Sequence, residues 1–184
     1  MDDGKKRILA VLATFTGKES EPGNPNESYT LKAMWLMMMS EFEASIKTKV
    51  ENHIDEIKKM DISDIHVCLL INNFHKSDKG ELTPSKIVSF YKRSANEISY
   101  QYFTGDRVPK YKAGAIIKLF DNLGIFFTEK ENRLLSELDS AASTRNAIAH
   151  GDLNVQITRK ELELKLEKLC ATLKMLSSKL LGNE

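Results

Sequence analysis

Apolar residues recur every three or four positions over long stretches of this chain, and that spacing predicts helices. From about 28 to 59, Leu31, Met34, Trp35, Met38, Phe42, Ile46, Val50, Ile54 and Ile57 fall on one helical face. Leu36, Met37 and Met39 widen the face and mark the middle of this helix for the core. A partner or ligand surface is the other use such a methionine cluster can have. Thr128-Glu129-Lys130-Glu131 is a capping box. It opens a helix whose buried stripe includes Leu134, Leu135, Leu138, Ala142 and Ile148, and Gly151 ends it. A second capping box, Thr158 to Glu161, precedes the seam Leu162, Leu166, Leu169, Leu173, Leu176 and Leu180. Between these two helices Leu153, Val155 and Ile157 alternate with other residues, as in an extended connector.

The remaining segments are read from their breakers. Residues 19–27 hold two prolines and a glycine and read as a loop. Residues 1–18 form a short apolar segment whose type the pattern leaves open. Residues 62–75 fit either a strand, from their β-branched content, or a short buried helix, from their neighbours. Thr83-Pro84 starts a helix that should run to about Phe103, with Thr as N-cap and Pro in the first turn. Gly105 and Pro109 break the chain before a helix at about 110–122, which Gly124 ends. The expected fold is all-α: an antiparallel helical bundle with one long first helix and short irregular connections. Residues 1–27 form an N-terminal extension and loop, and 28–184 the helical domain.

Composition narrows the function classes. With 184 residues the chain has room for one domain with a real core. Its 27 basic residues face 26 acidic ones, which argues against a polycation that coats nucleic acid through net charge. Arg107, Lys110, Lys112 and Lys118 are the best local basic patch, unless they are only the solvated start of a helix. Cys68 and Cys170 lie in apolar surroundings and read as buried thiols of a reducing compartment. His53, His66 and His75 show no ligand spacing, so no metal and no cofactor are expected. The apolar run Ile8 to Leu12 is too short for a signal peptide or a membrane span. A cytoplasmic protein without membrane contact is the expectation.

The chemistry concentrates in Arg145-Asn146-Ala147-Ile148-Ala149-His150-Gly151, at the far end of a helix. Arginine holds a phosphate in a fork of hydrogen bonds, and histidine moves a proton near neutral pH. Asn146 and His150 are four apart and share a helical face, whereas Arg145 points from its flank. One chain therefore offers a poor site. Two chains about a two-fold axis would gather two arginines and two histidines around one cleft. In RNA cleavage a base takes the ribose 2′-OH proton, the oxygen attacks phosphorus, and an acid protonates the leaving 5′-oxygen. His150 suits either proton transfer and Arg145 suits the phosphate, while Asn146 would orient the imidazole or bond a phosphate oxygen. The bland alternative is a capped helix end: histidine there is favoured by roughly 0.3–1 kcal/mol, and Arg145 becomes a surface cation.

The longer run Ser143 to Asp152, followed by the connector, the capping box and the Leu-rich last helix, resembles the HEPN superfamily. It is most similar to HEPN domains found beside prokaryotic restriction and toxin–antitoxin genes, including the RiboL-PSP group. Met37 to Lys47 is similar to the first long helix of those domains, with Phe42-Glu43 as their aromatic–Glu pair. The resemblance spans about 28–181; residues 1–27 have no counterpart in it. It implies a homodimer with the Arg/His motif at the interface and metal-independent endoribonuclease activity on RNA, in defence, toxin or RNA-processing roles. It also implies that Arg145, Asn146 and His150 take the family's positions and that Glu43 faces the same cleft. There Glu43 would orient Arg145 or raise the pKa of His150, unless it is a plain surface carboxylate. Some HEPN relatives bind RNA or nucleotides, or serve as partner subunits, without cutting, and an antitoxin or other partner protein is compatible with either role. A third reading is an interaction protein that docks its partner on the Leu162–Leu180 seam.

Overall fold

The long helix that the sequence pattern places first in the core is the central element of the structure. The computed structural model describes residues 2–21, 23–59, 83–85, 100 and 112–182. Five helices lie among them: α1 (Asp2–Leu12), α2 (Pro25–Lys59), α3 (Ala113–Asn122), α4 (Glu129–Ala149) and α5 (Arg159–Leu180). No strand occurs among the described residues. α2 packs most extensively on α5 and next on α4; α3 rests on α4, and α1 on α2 and α5. Residues 62–75, Cys68, His66, His75, Gly105, Arg107, Pro109 and Lys110 lie outside the described residues. Of the helix expected from Thr83 to Phe103, Pro84, Ser85 and Tyr100 are described and are helical.

The buried face of α2 runs from Leu31 to Ile57, and Met38, Phe42 and Val50 are wholly inaccessible. Met39 joins them, but Met37 is 47 % exposed and Leu36 only half-buried, so the apolar face is narrower than the methionine run implies. α2 also starts earlier than its apolar stripe. Asn24 is the N-cap, its side-chain oxygen accepting from Glu27 N at 3.1 Å, and Pro25 opens the helix. A proline in the first turn starts a helix as readily as it breaks one, because the N–H it lacks has no helical partner there.

The N-terminal segment is helical and adds to the same core. Ile8 and Leu12 are 2 % exposed, and the loop after α1 is tied to the start of α5. Arg159 Nη1 donates to the Phe15 carbonyl at 3.0 Å, and Lys160 N to the Glu19 carbonyl at 3.1 Å.

Both capping boxes form as the sequence pattern predicts, at Thr128/Glu131 and Thr158/Glu161. All six leucines of the α5 seam are buried, whereas Leu134 and Ile148 of the expected α4 stripe are only partly so and Ala141 replaces them in the core. α4 and α5 are antiparallel: Glu137 meets Lys165 and Lys168 at one end, and Glu131 meets Lys179 at the other. α5 follows α2 in the same sense, with Trp35 beside Leu164 and Lys168, and His53 beside Leu180. The antiparallel relation expected of the bundle thus holds for α4 against α5 but not for α2 against α5. The connector departs from a plain extended strand, because Leu153 sits in a turn at 80 % exposure while Ile157 is buried.

Gly124 and Gly151 stop α3 and α4 in the same manner. Each has positive φ, 75° and 78°. After α4, Gly151 N donates to the Ile148 carbonyl and Asp152 N to the Ala147 carbonyl, both at 3.0 Å. This is a Schellman stop, which needs a left-handed residue at the glycine position. Substituting alanine should therefore have opposite effects at two sites with free space around them. Gly151→Ala should cost about 1–2 kcal/mol from backbone strain. Gly114→Ala, inside α3, should stabilise by about 0.4–1 kcal/mol. Urea denaturation of the two variants checks both signs.

His53 supplies a pH-dependent stability. Burial pushes its pKa below the ordinary 6.5, against the raising effect of a backbone hydrogen bond to Leu180, and Nε2 is buried without a partner. The folded chain therefore binds this proton less readily than the unfolded one. Stability from this group is full above the unfolded value and is lost as pH falls through it towards the folded value. Urea midpoints should drop between pH 7.5 and pH 5.5 in the wild type and drop less in His53→Leu; equal drops would rule out His53 as the source.

Candidate active site

α4 carries the Arg/His motif because its start and stop are both set locally. The Thr128 box fixes one end and the Gly151 stop the other, so residues 145–150 leave the helix in defined directions. Position across the bundle comes from Trp35 on α2. Its indole Nε1 donates to the buried Ala141 carbonyl at 3.2 Å. That carbonyl lies one turn before Arg145 and is the acceptor an α-helix assigns to the Arg145 backbone N–H.

Arg145 is half-buried, and its Nη1 donates to Asn146 Oδ1 at 3.2 Å. The carboxamide thus braces the guanidinium and does not orient the imidazole. Across the helix interface, Glu43 of α2 is half-buried and feels the Arg145 charge. Burial pushes the Glu43 carboxyl up from its ordinary range, and the nearby guanidinium opposes that rise. No direct ion pair joins the two among the described residues. Glu43, Arg145 and Asn146 therefore form one neighbourhood.

His150 is the C-cap of α4, with φ −87° and ψ 4°, and its side chain is exposed. Its backbone N–H closes the last turn on the Asn146 carbonyl at 2.9 Å. The imidazole makes no hydrogen bond among the described residues. Within the chain, then, a braced guanidinium and a solvent-facing imidazole stand on different sides of the same helix end. Five helical positions separate them by about 7.5 Å of rise.

Of the expected basic patch, Lys112 and Lys118 are described; both are exposed, at the start and middle of α3. Asp139 Oδ1 accepts from the Ala113 N–H at 3.0 Å, so the start of α3 is capped from α4 and not by its own residues. Among the described residues no group of His, Cys, Asp and Glu is arranged to hold a metal ion, and no helix is long and apolar enough to cross a membrane. Sequence reasoning missed the bracing role of Trp35, which it assigned only to the apolar face. An indole N–H on a buried stripe is the available signal, since such a group must find an acceptor.

No curated protein and no solved structure matches the chain. One family model does, over residues 4–181, and so takes in most of the N-terminal segment that sequence resemblance left without a counterpart. That span covers nearly the whole molecule, including α2 with Glu43 and α4 with Arg145, Asn146 and His150. The chain belongs to the RiboL-PSP-HEPN family, within the HEPN superfamily.

Proposed function

We propose that this protein is a metal-independent endoribonuclease whose site is completed when two copies pair about the tips of α4. Family membership supports an RNase-like or RNA-binding role in general. The more specific reading rests on one observation: a guanidinium braced by Asn146 and biased by Glu43, one helical end away from an exposed, unbonded imidazole. A second copy in a two-fold arrangement brings its own His150 to the side that Arg145 faces.

In this mechanism the scissile phosphate sits in the fork of Arg145. One His150 takes the proton from the ribose 2′-OH, and the new O–P bond forms as the P–O5′ bond breaks. The leaving 5′-oxygen collects a proton from the other His150. The products are a 2′,3′-cyclic phosphate and a 5′-hydroxyl, with no net change in protons. DNA lacks the attacking hydroxyl and is not a substrate. Glu43 acts on the guanidinium as a positioning residue, since no contact with the phosphate is needed for its effect.

Cleavage of single-stranded RNA should persist in EDTA. His150→Ala should lower it by about 10²–10⁴-fold. Arg145→Lys should also fail, because a point charge does not replace the two-pronged fork. Sedimentation should show a dimer that both variants retain. Cleavage equal in wild type and His150→Ala would defeat the proposal; salt-sensitive RNA binding with no cleavage would turn the reading to a binding module.

A further inference from the structure

One face round α4 from Arg145, a cavity opens between α2, α4 and α5, with about 180 Å³ of free space. Trp35, Ile157 and Leu164 give it apolar walls, and Thr144 and Gln156 its free polar groups. Thr144 directly precedes Arg145, so their Cα atoms lie about 3.8 Å apart. The cavity and the proposed phosphate fork are therefore neighbours on one turn of helix.

The polar groups are uncommitted, with Gln156 exposed and Thr144 half-buried. Ser136 and Ser140 on the same helix donate their hydroxyls back to the Arg133 and Glu137 carbonyls, at 2.7 and 3.0 Å. Neither the Thr144 hydroxyl nor the Gln156 carboxamide has a hydrogen-bond partner among the described residues. The charges nearby are already balanced. Lys165 and Lys168 converge on Glu137 at 3.4 and 3.0 Å, and the Glu161 carboxylate is held by Thr158 N at 2.8 Å. A phosphate finds no spare cation here. A flat, neutral ring finds apolar walls and a free hydroxyl and amide. The space suffices for one ring, since a cavity of about 150 Å³ accepts benzene.

We propose that this cavity receives the unpaired base beside the scissile phosphate and that Thr144 and Gln156 read its edge. This rests on the ribonuclease reading and gives it a specificity site. Single-stranded RNA is recognised by bases splayed from the backbone, with polar side chains on their edges. A carboxamide offers one donor and one acceptor, the pair that a base edge matches.

The test uses full-length protein and short RNAs that differ only in the base next to the cleaved bond, with one RNA abasic at that position. Wild type should prefer one base by about tenfold in kcat/KM and cleave the abasic RNA poorly. Gln156→Ala should flatten the preference to within about twofold. Leu164→Trp, which fills the cavity from a residue 52 % exposed, should raise KM and abolish the penalty for the abasic RNA. Matching thermal melts establish that both variants fold. Cleavage by wild type with no base preference, or with a preference that both variants keep, overturns the cavity proposal and leaves the nuclease reading standing. Failure of wild type to bind or cleave any of the RNAs overturns both.

Discussion

The candidate site depends on a polar contact between α2 and α4, the bond from the Trp35 indole. A buried indole N–H without an acceptor would cost about 1–3 kcal/mol, so Trp35 must reach a carbonyl. The one it reaches, Ala141, lies in the turn that leads into Arg145. Apolar packing alone leaves a helix free to slide or rotate by small amounts among similar arrangements, because the hydrophobic effect has no direction. The indole bond is directional, and it fixes the rotation of α4 at the place where the motif begins. The proximity of Glu43 and Arg145 and the form of the cavity lined by Trp35 and Thr144 both follow from that register.

Electrostatics then differentiates residues that the sequence presents as equals. Asn146 is committed to Arg145, which restricts the guanidinium without neutralising it. Glu43 is pulled two ways: burial favours its neutral form and the Arg145 charge its ionised form. A carboxyl in that position biases the arginine and stays short of a full ion pair. His150 lies at the other extreme, exposed at the C-terminal end of α4 with no hydrogen bond to its imidazole among the described residues. In the proposed reaction a braced cation and an unencumbered imidazole divide the labour of phosphoryl transfer.

Legibility varied with the range of the interaction. Thr128, Thr158, Gly124 and Gly151 act on backbone groups within a few residues, so their capping boxes and stops could be read directly from spacing. The α5 leucine seam was equally clear, because one side of that helix faces the core along its whole length. Pro25 was misjudged as part of a loop, since a proline has opposite meanings inside a helix and in its first turn. Met37 was placed in the core with its neighbours, yet hydrophobicity does not state how many helices surround a given turn. The role of α1 was not legible at all, because the choice of Ile8 and Leu12 as its buried residues acquires meaning only when α2 and α5 supply a surface for them.

The sequence by itself determined the all-helical architecture, the long central helix, the ends of the last two helices, and the Arg145-Asn146-His150 grouping on one of those ends. Each depends on periodicity or on hydrogen bonds closed within one turn. The tertiary structure decided that Glu43 comes to Arg145 from a helix about a hundred positions earlier, and that α5 runs alongside α2 in the same sense. It also decided that Asn146 turns to the guanidinium, and that a cavity opens beside the motif. Those outcomes depend on how whole helices cross. Crossing is set by the sum of many side-chain contacts and of directional bonds between helices, which no local stretch of sequence contains.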